Sequence, residues 1–177
     1  MTEDLELALN FELKDDLKIA PSAWIAPNAT VVGDVTLGDE ASIWFNCVVR
    51  GDIAPIRIGT KTNVQDGCIL HVGSTHPCIL GDRVSLGHGA IVHGATVEDD
   101  CLIGMRATVL NGAVIGRGSI VGAGALVPEN MVVPPNSLVL GVPAKVVKEV
   151  TPKLREGIEA TALGYAGYAR GYKRRFG

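Results

Sequence analysis

Apolar side chains return every sixth residue along most of this chain, a period that fits neither an amphipathic helix nor a simple alternating strand. Ile19, Ile25, Val31, Leu37, Ile43 and Val49 open the series, and Ile58, Val64, Leu70, Leu80, Leu86 and Val92 continue it. Val97, Ile103, Val109, Ile115, Val121, Val127, Val133 and Val139 complete it, so all twenty anchors are Ile, Val or Leu. The interval departs from six three times: nine residues from Val49 to Ile58, ten from Leu70 to Leu80, and five from Val92 to Val97. The first two are expected to be loops and the third a tightened corner. Two residues ahead of an anchor stands a second, smaller side chain, as at Ala29, Val35, Ala41, Thr62, Val84, Ala90, Ala107, Ala113, Ser119 and Ala125. Both positions are expected to face inward.

A sustained six-residue period marks a parallel β-helix, in which each short strand pairs with its equivalent one coil above and below. The series resembles the left-handed hexapeptide-repeat family. That likeness implies left-handed coils with three flat sides of one hexapeptide each. The expected fold is therefore mainly β: a lead-in over 1–18, a left-handed parallel β-helix over 19–147, and a C-terminal helix over 148–177 packed on it. Thr151-Pro152 reads as an N-cap followed by proline at the first helical position. Leu154, Ile158, Ala162, Tyr165, Ala169 and Tyr172 recur at helical spacing and are expected to form the buried face. Gly164, Gly167 and Gly171 each cost a helix about 1 kcal/mol relative to Ala, so packing rather than propensity must hold it.

Length and composition narrow the classes. The chain has 177 residues, 47% of them apolar and 20% charged, enough for one well-buried domain. A net charge of -3 offers no field for a polyanion, so no nucleic acid is expected as partner. No apolar run approaches the ~18 residues of a membrane span and the acidic start carries no export pattern, so no membrane association is expected. Four cysteines without a CxxC pair point to a reducing compartment and hence a cytoplasmic protein. Cys47, Cys68, Cys78 and Cys101 each lie two residues before an anchor, which makes them small core side chains rather than metal ligands.

The four histidines carry the candidate chemistry. Val49, Leu70 and Val92 fall in one column on successive coils, so Arg50, His71 and His93, one residue after each, should stack on one edge. His88 follows Leu86, in the column that also holds Val64 and Gln65, and lies on a different wall. One chain should not close a three-histidine site alone. A threefold ring with heterologous contacts would bring the His71/His93 edge of one prism to the His88 wall of the next. His76, in the loop GSTHPC, reads as a solvated side chain.

The runs VVRGD (48–52), NVQDG with the following LH (63–71), GHGAIVHG (87–94), LIGM (102–105) and GVPAK resemble γ-class carbonic anhydrases. The likeness spans nearly the whole chain from about Ile19. It implies a homotrimer with His71, His88 and His93 as ligands of Zn²⁺, with Fe²⁺ or Co²⁺ as possible substitutes. By the same likeness Gln65 orients the water that the metal activates, Arg50 and Asp52 form an ion pair across the subunit boundary, and Asn63 and Tyr165 line the site. The implied reaction is hydration of CO₂ to bicarbonate. Two positions depart from the family prototype, which carries acidic residues for proton export: Ile53 stands at one, and the loop VGSTHPC has no carboxylate. Slow proton transfer would then cap turnover, giving a weakly active homologue. Two further readings keep the fold: an acyltransferase or CoA-thioester hydrolase, and a non-catalytic metal-binding scaffold subunit.

Overall fold

In the computed structural model, which describes residues 12–176, the six-residue period becomes a parallel β-solenoid of about seven turns closed by one C-terminal helix. Every anchor from Leu37 to Val139 is at most 2% exposed, while Ile19, Ile25 and Val31 in the first coils are half-buried. The smaller second positions are buried from Val35 onward, and all four cysteines are buried with them. Burial pushes the Cys78 and Cys101 thiols up to about 12, which keeps them protonated core side chains.

Register follows the column assignment. Val49 pairs with Leu70, Leu70 with Val92 and Val92 with Val109; on the adjoining wall Ile43 pairs with Val64, Val64 with Leu86 and Leu86 with Ile103. An eight-stranded sheet makes one wall. An eleven-stranded sheet makes the other two, because strands Thr30–Leu37 and Val48–Ile58 each run through the corner between them.

That continuity corrects one expectation. The nine residues from Val49 to Ile58 are not a loop but the second part of an 11-residue strand. The reason is local: Gly33 pairs with Gly51, and the register then slips between Gly33 and Val35, so the chain bends without leaving the sheet. Gly33 has φ +86°, and a Cβ there would lie 2.2 Å from the Gly51 carbonyl oxygen of the next coil. The ten-residue interval is a loop as expected, with Gly73 and His76 bonded through both backbone amides at 2.9 and 3.1 Å. At the five-residue interval the chain turns sharply at Gly94, φ +57°.

The ends differ in detail. The first strand, Asp16–Ile19, starts before the expected boundary and pairs with the coil above, while the rest of the lead-in, 1–11, lies outside the described residues. After Gly141 the strand Lys145–Glu149 folds back antiparallel on Ser137–Leu140. The helix Pro152–Phe176 then runs along the outside of the eight-stranded wall to the first coil, where Lys173 Nζ donates to the Ala23 carbonyl at 2.8 Å. Its buried residues are Ile158, Ala162, Ala166 and Ala169, so small side chains let the backbone approach the sheet. Leu154 and Tyr172 are exposed rather than buried, and Ala166 takes a place in the contact face that spacing had not assigned. Because the helix covers this wall, the outward-pointing Ser42, Asn63 and Ser85 are buried although they lie outside the solenoid core.

The Gly33 contact generates a test. Gly33→Ala should destabilise the chain by about 3 kcal/mol or more, of which left-handed backbone accounts for roughly 1–2 kcal/mol and overlap with the next coil for the rest. Gly124, with φ +68° and nothing within 4 Å of an added Cβ, isolates the first contribution. Gly124→Ala should cost only that smaller amount, as read by denaturant unfolding of both variants.

Candidate metal centre

The predicted site residues fall into two groups at opposite corners of one wall, the wall of strand Ile91–His93. At the first corner His71 and His93 are register partners on successive coils, and His71 Nδ1 lies 2.9 Å from His93 Nε2. Asp52, delivered there by the bent strand Val48–Ile58, places Oδ1 3.0 Å from His71 Nε2. Arg50 donates to the other Asp52 oxygen, so this ion pair closes within a single chain. On the coil beyond, Asn111 Oδ1 lies 2.7 Å from His93 Nδ1.

The second corner holds the remaining candidates. His88 sits in the turn that enters the wall, level with Asp66 on the preceding coil, and its Nδ1 is 3.0 Å from Asp66 Oδ2. Gln65, the residue before Asp66, donates its Nε2–H to Asn63 Oδ1 at 3.0 Å, and Asn63 donates to Ser85 Oγ at 2.8 Å. This buried relay fixes the Gln65 amide and leaves its Oε1 to accept. Tyr165 comes in from the helix, edge-on to Trp44 with ring centroids 5.2 Å apart. Trp44, Phe45, Asp66, Tyr165, Tyr168 and Tyr172 line an open surface pocket of about 360 Å³ beside this corner.

Electrostatics separates the two corners. His71 and Asp52 have side chains 18% and 11% exposed, whereas those of His88 and Asp66 are 49% and 40% exposed. Burial holds the His71 imidazole below its ordinary value; Asp52 works against that shift and Arg50 adds to it. Burial would raise the Asp52 carboxyl, but the bonds from Arg50 and His71 prevail and keep it below the usual carboxylate range. Burial, and then the nearby Asp66 charge, push the Tyr165 phenol up.

A carboxylate only accepts hydrogen bonds, so Asp52 requires the His71 proton on Nε2; the Asn111 carbonyl likewise requires the His93 proton on Nδ1. For neutral rings, the two nitrogens that face each other then both present lone pairs. Two converging imidazole lone pairs are a donor set that a metal ion can take.

Among the described residues of one chain, no three His, Cys, Asp or Glu side chains are grouped to hold a metal ion. His71 and His93 are brought together and His88 is not. Sequence reasoning missed Asp66, Asn111 and Ser85. The register was a usable signal for all three, since Asp66 precedes His88 and Asn63 precedes Ser85 by the same 22 residues that separate His71 from His93, and Asn111 follows His93 by 18.

Comparison with known proteins places this arrangement. The family profile described as "Bacterial transferase hexapeptide (six repeats)" matches residues 16–51 and 94–129. A carbonic anhydrase of Geobacillus kaustophilus is 51% identical over 88% of this chain and 86% of its own length. The mitochondrial γ carbonic anhydrase 1 of Arabidopsis thaliana is 41% identical over 85% of this chain, which spans 57% of that protein. A crystal structure from Bacillus cereus, of a protein proposed to be an acetyltransferase, superposes with a TM-score of 0.89 at 45% identity, covering 91% of this chain and 94% of that one. By its identity to these relatives over most of its length, this chain belongs to the γ-class carbonic anhydrase family.

Proposed function

We propose that the protein is a carbonic anhydrase that hydrates CO₂ to bicarbonate at metal sites shared between neighbouring copies of a homotrimer. The observation that carries this reading is the pair of imidazole nitrogens 2.9 Å apart, His71 Nδ1 and His93 Nε2, whose far nitrogens are both tied to acceptors. His88 on the other corner is anchored the same way by Asp66. Metal-binding imidazoles commonly have their second nitrogen hydrogen-bonded to an oxygen, which fixes ring orientation and tautomer. All three candidates meet that condition.

A threefold ring joins the first corner of one copy to the second corner of the next, so each interface gathers His71 and His93 from one chain and His88 from its neighbour. Three neutral imidazoles suit Zn²⁺, with Fe²⁺ or Co²⁺ also compatible. A zinc ion held so would supply a nucleophile at neutral pH by lowering the pKa of water to about 7, carbonic anhydrase being the standard instance of that shift.

This chain's own residues do the rest. Gln65, held by Asn63 and Ser85, offers Oε1 to a water proton and so orients the water without adding charge. Asp52 keeps His71 in the Nε2–H form. Arg50 neutralises Asp52, and in the trimer it carries the further role of bracing the interface. Tyr165 and Trp44 line the pocket beside this corner. The departing proton has no carboxylate at Ile53 or in the 72–78 loop to receive it, so export is expected to limit turnover.

Acyl transfer remains a second reading because the Bacillus cereus relative is proposed to be an acetyltransferase. Calorimetry with acetyl-CoA separates the two: no heat of binding is expected.

Zinc-loaded protein should hydrate CO₂ in stopped-flow assays, and chelation should abolish that activity reversibly. His93→Ala and His88→Ala should each lose more than the roughly 100-fold that outer partners of a metal ligand contribute. Equal rates in wild type and either variant would end the proposal. The assembly should have three times the 18.5 kDa chain mass by light scattering, and Arg50→Ala should shift it toward smaller species. An unchanged trimer would return Arg50 to the role of an ordinary surface ion pair worth under ~1 kcal/mol.

A further inference from the structure

We propose that Asn111 is a positioning residue that locks His93 in the tautomer with its proton on Nδ1, keeping the Nε2 lone pair turned toward His71. This rests on the reading of that corner as half of a metal site. Asn111 Oδ1 lies 2.7 Å from His93 Nδ1. With Oδ1 facing the ring, a His93 protonated on Nε2 would set two lone pairs against each other at that distance, and only turning the amide over to present Nδ2–H would relieve them. The Nδ1–H form replaces that repulsion with a hydrogen bond.

The fold holds the acceptor in place. Val109 pairs with Val92, so Asn111 enters the corner one coil above His93. Its Oδ1 fills a notch left by Gly94, where an added Cβ would lie 2.3 Å from that oxygen and 2.9 Å from the His76 Cβ. The glycine that ends GHGAIVHG is therefore what lets the amide reach the ring.

Asn111 also differs in kind from its counterparts. His71 and His88 are anchored by the carboxylates Asp52 and Asp66, whereas His93 is anchored by a neutral amide. The third anchor thus sets the tautomer without placing another negative charge at a corner that already holds Asp52.

The tautomer can be read without any metal, from long-range proton–nitrogen spectra of metal-free protein carrying ¹⁵N-labelled histidine. Wild type and Asn111→Asp should show His93 protonated on Nδ1, since both keep the acceptor. Asn111→Leu should shift His93 toward the Nε2–H form and weaken Zn²⁺ binding by about 10–100-fold, with Asn111→Asp close to wild type. The proposal is overturned by Nε2–H His93 in the wild type, which needs no variant to fold, or by a folded Asn111→Leu with unaltered tautomer and zinc affinity. A wild-type protein that takes up no zinc sinks the metal reading instead, and the tautomer spectrum still decides for or against Asn111.

Discussion

Every feature of this molecule depends on one coil pairing in register with the next. Because the strands stack at about 4.8 Å, residues a full coil apart in sequence become side-chain neighbours. The inward column of Ile, Val and Leu supplies the hydrophobic drive that holds the stack. The corners, with side chains that point away from that column, are then free to carry chemistry. His71 meets His93, Asp66 meets His88 and Asn111 meets His93 through this stacking alone.

The same constraint explains why the three histidines do not meet within one chain. His88 enters the wall of strand Ile91–His93 and His93 leaves it, so the two rings stand at opposite corners of a rigid prism. No side-chain rotation removes that separation. The chain presents a partly buried pair of imidazoles backed by Asp52 and Asn111 at one corner, and at the other a more exposed imidazole bonded to Asp66, the residue after Gln65. The helix Pro152–Phe176 contributes by covering the polar relay from Ser85 through Asn63 to Gln65, which would otherwise be solvated and loose.

Much of this was legible in the sequence, and the limits have physical causes. The anchors are an inward-facing periodicity, and they gave the solenoid, the column of each histidine and the burial of the cysteines. Counting intervals alone, however, cannot distinguish a loop from a strand that bends through a corner, which is why Val48–Ile58 was misread. That difference lies in the close approach of Gly33 to Gly51, a contact between coils. The helix face was found except that Leu154 and Tyr172 are exposed and Ala166 is buried, because the sheet selects small residues at close approach. Asn111 and Asp66 escaped notice because polar corner residues have many uses, and only their stacking on a histidine distinguishes them.

The central claim, that half-sites of neighbouring copies combine, is tested most directly by complementation. His93→Ala chains keep an intact His88 corner, and His88→Ala chains keep an intact His71/His93 corner. Each alone should bind no zinc in the site. Unfolded together in equal amounts and refolded, they should regain about one quarter of the wild-type zinc and CO₂ hydration, the fraction of interfaces in a random threefold ring that pair two intact corners. A refolded mixture of assembled chains as empty and inactive as the separate variants would contradict the account.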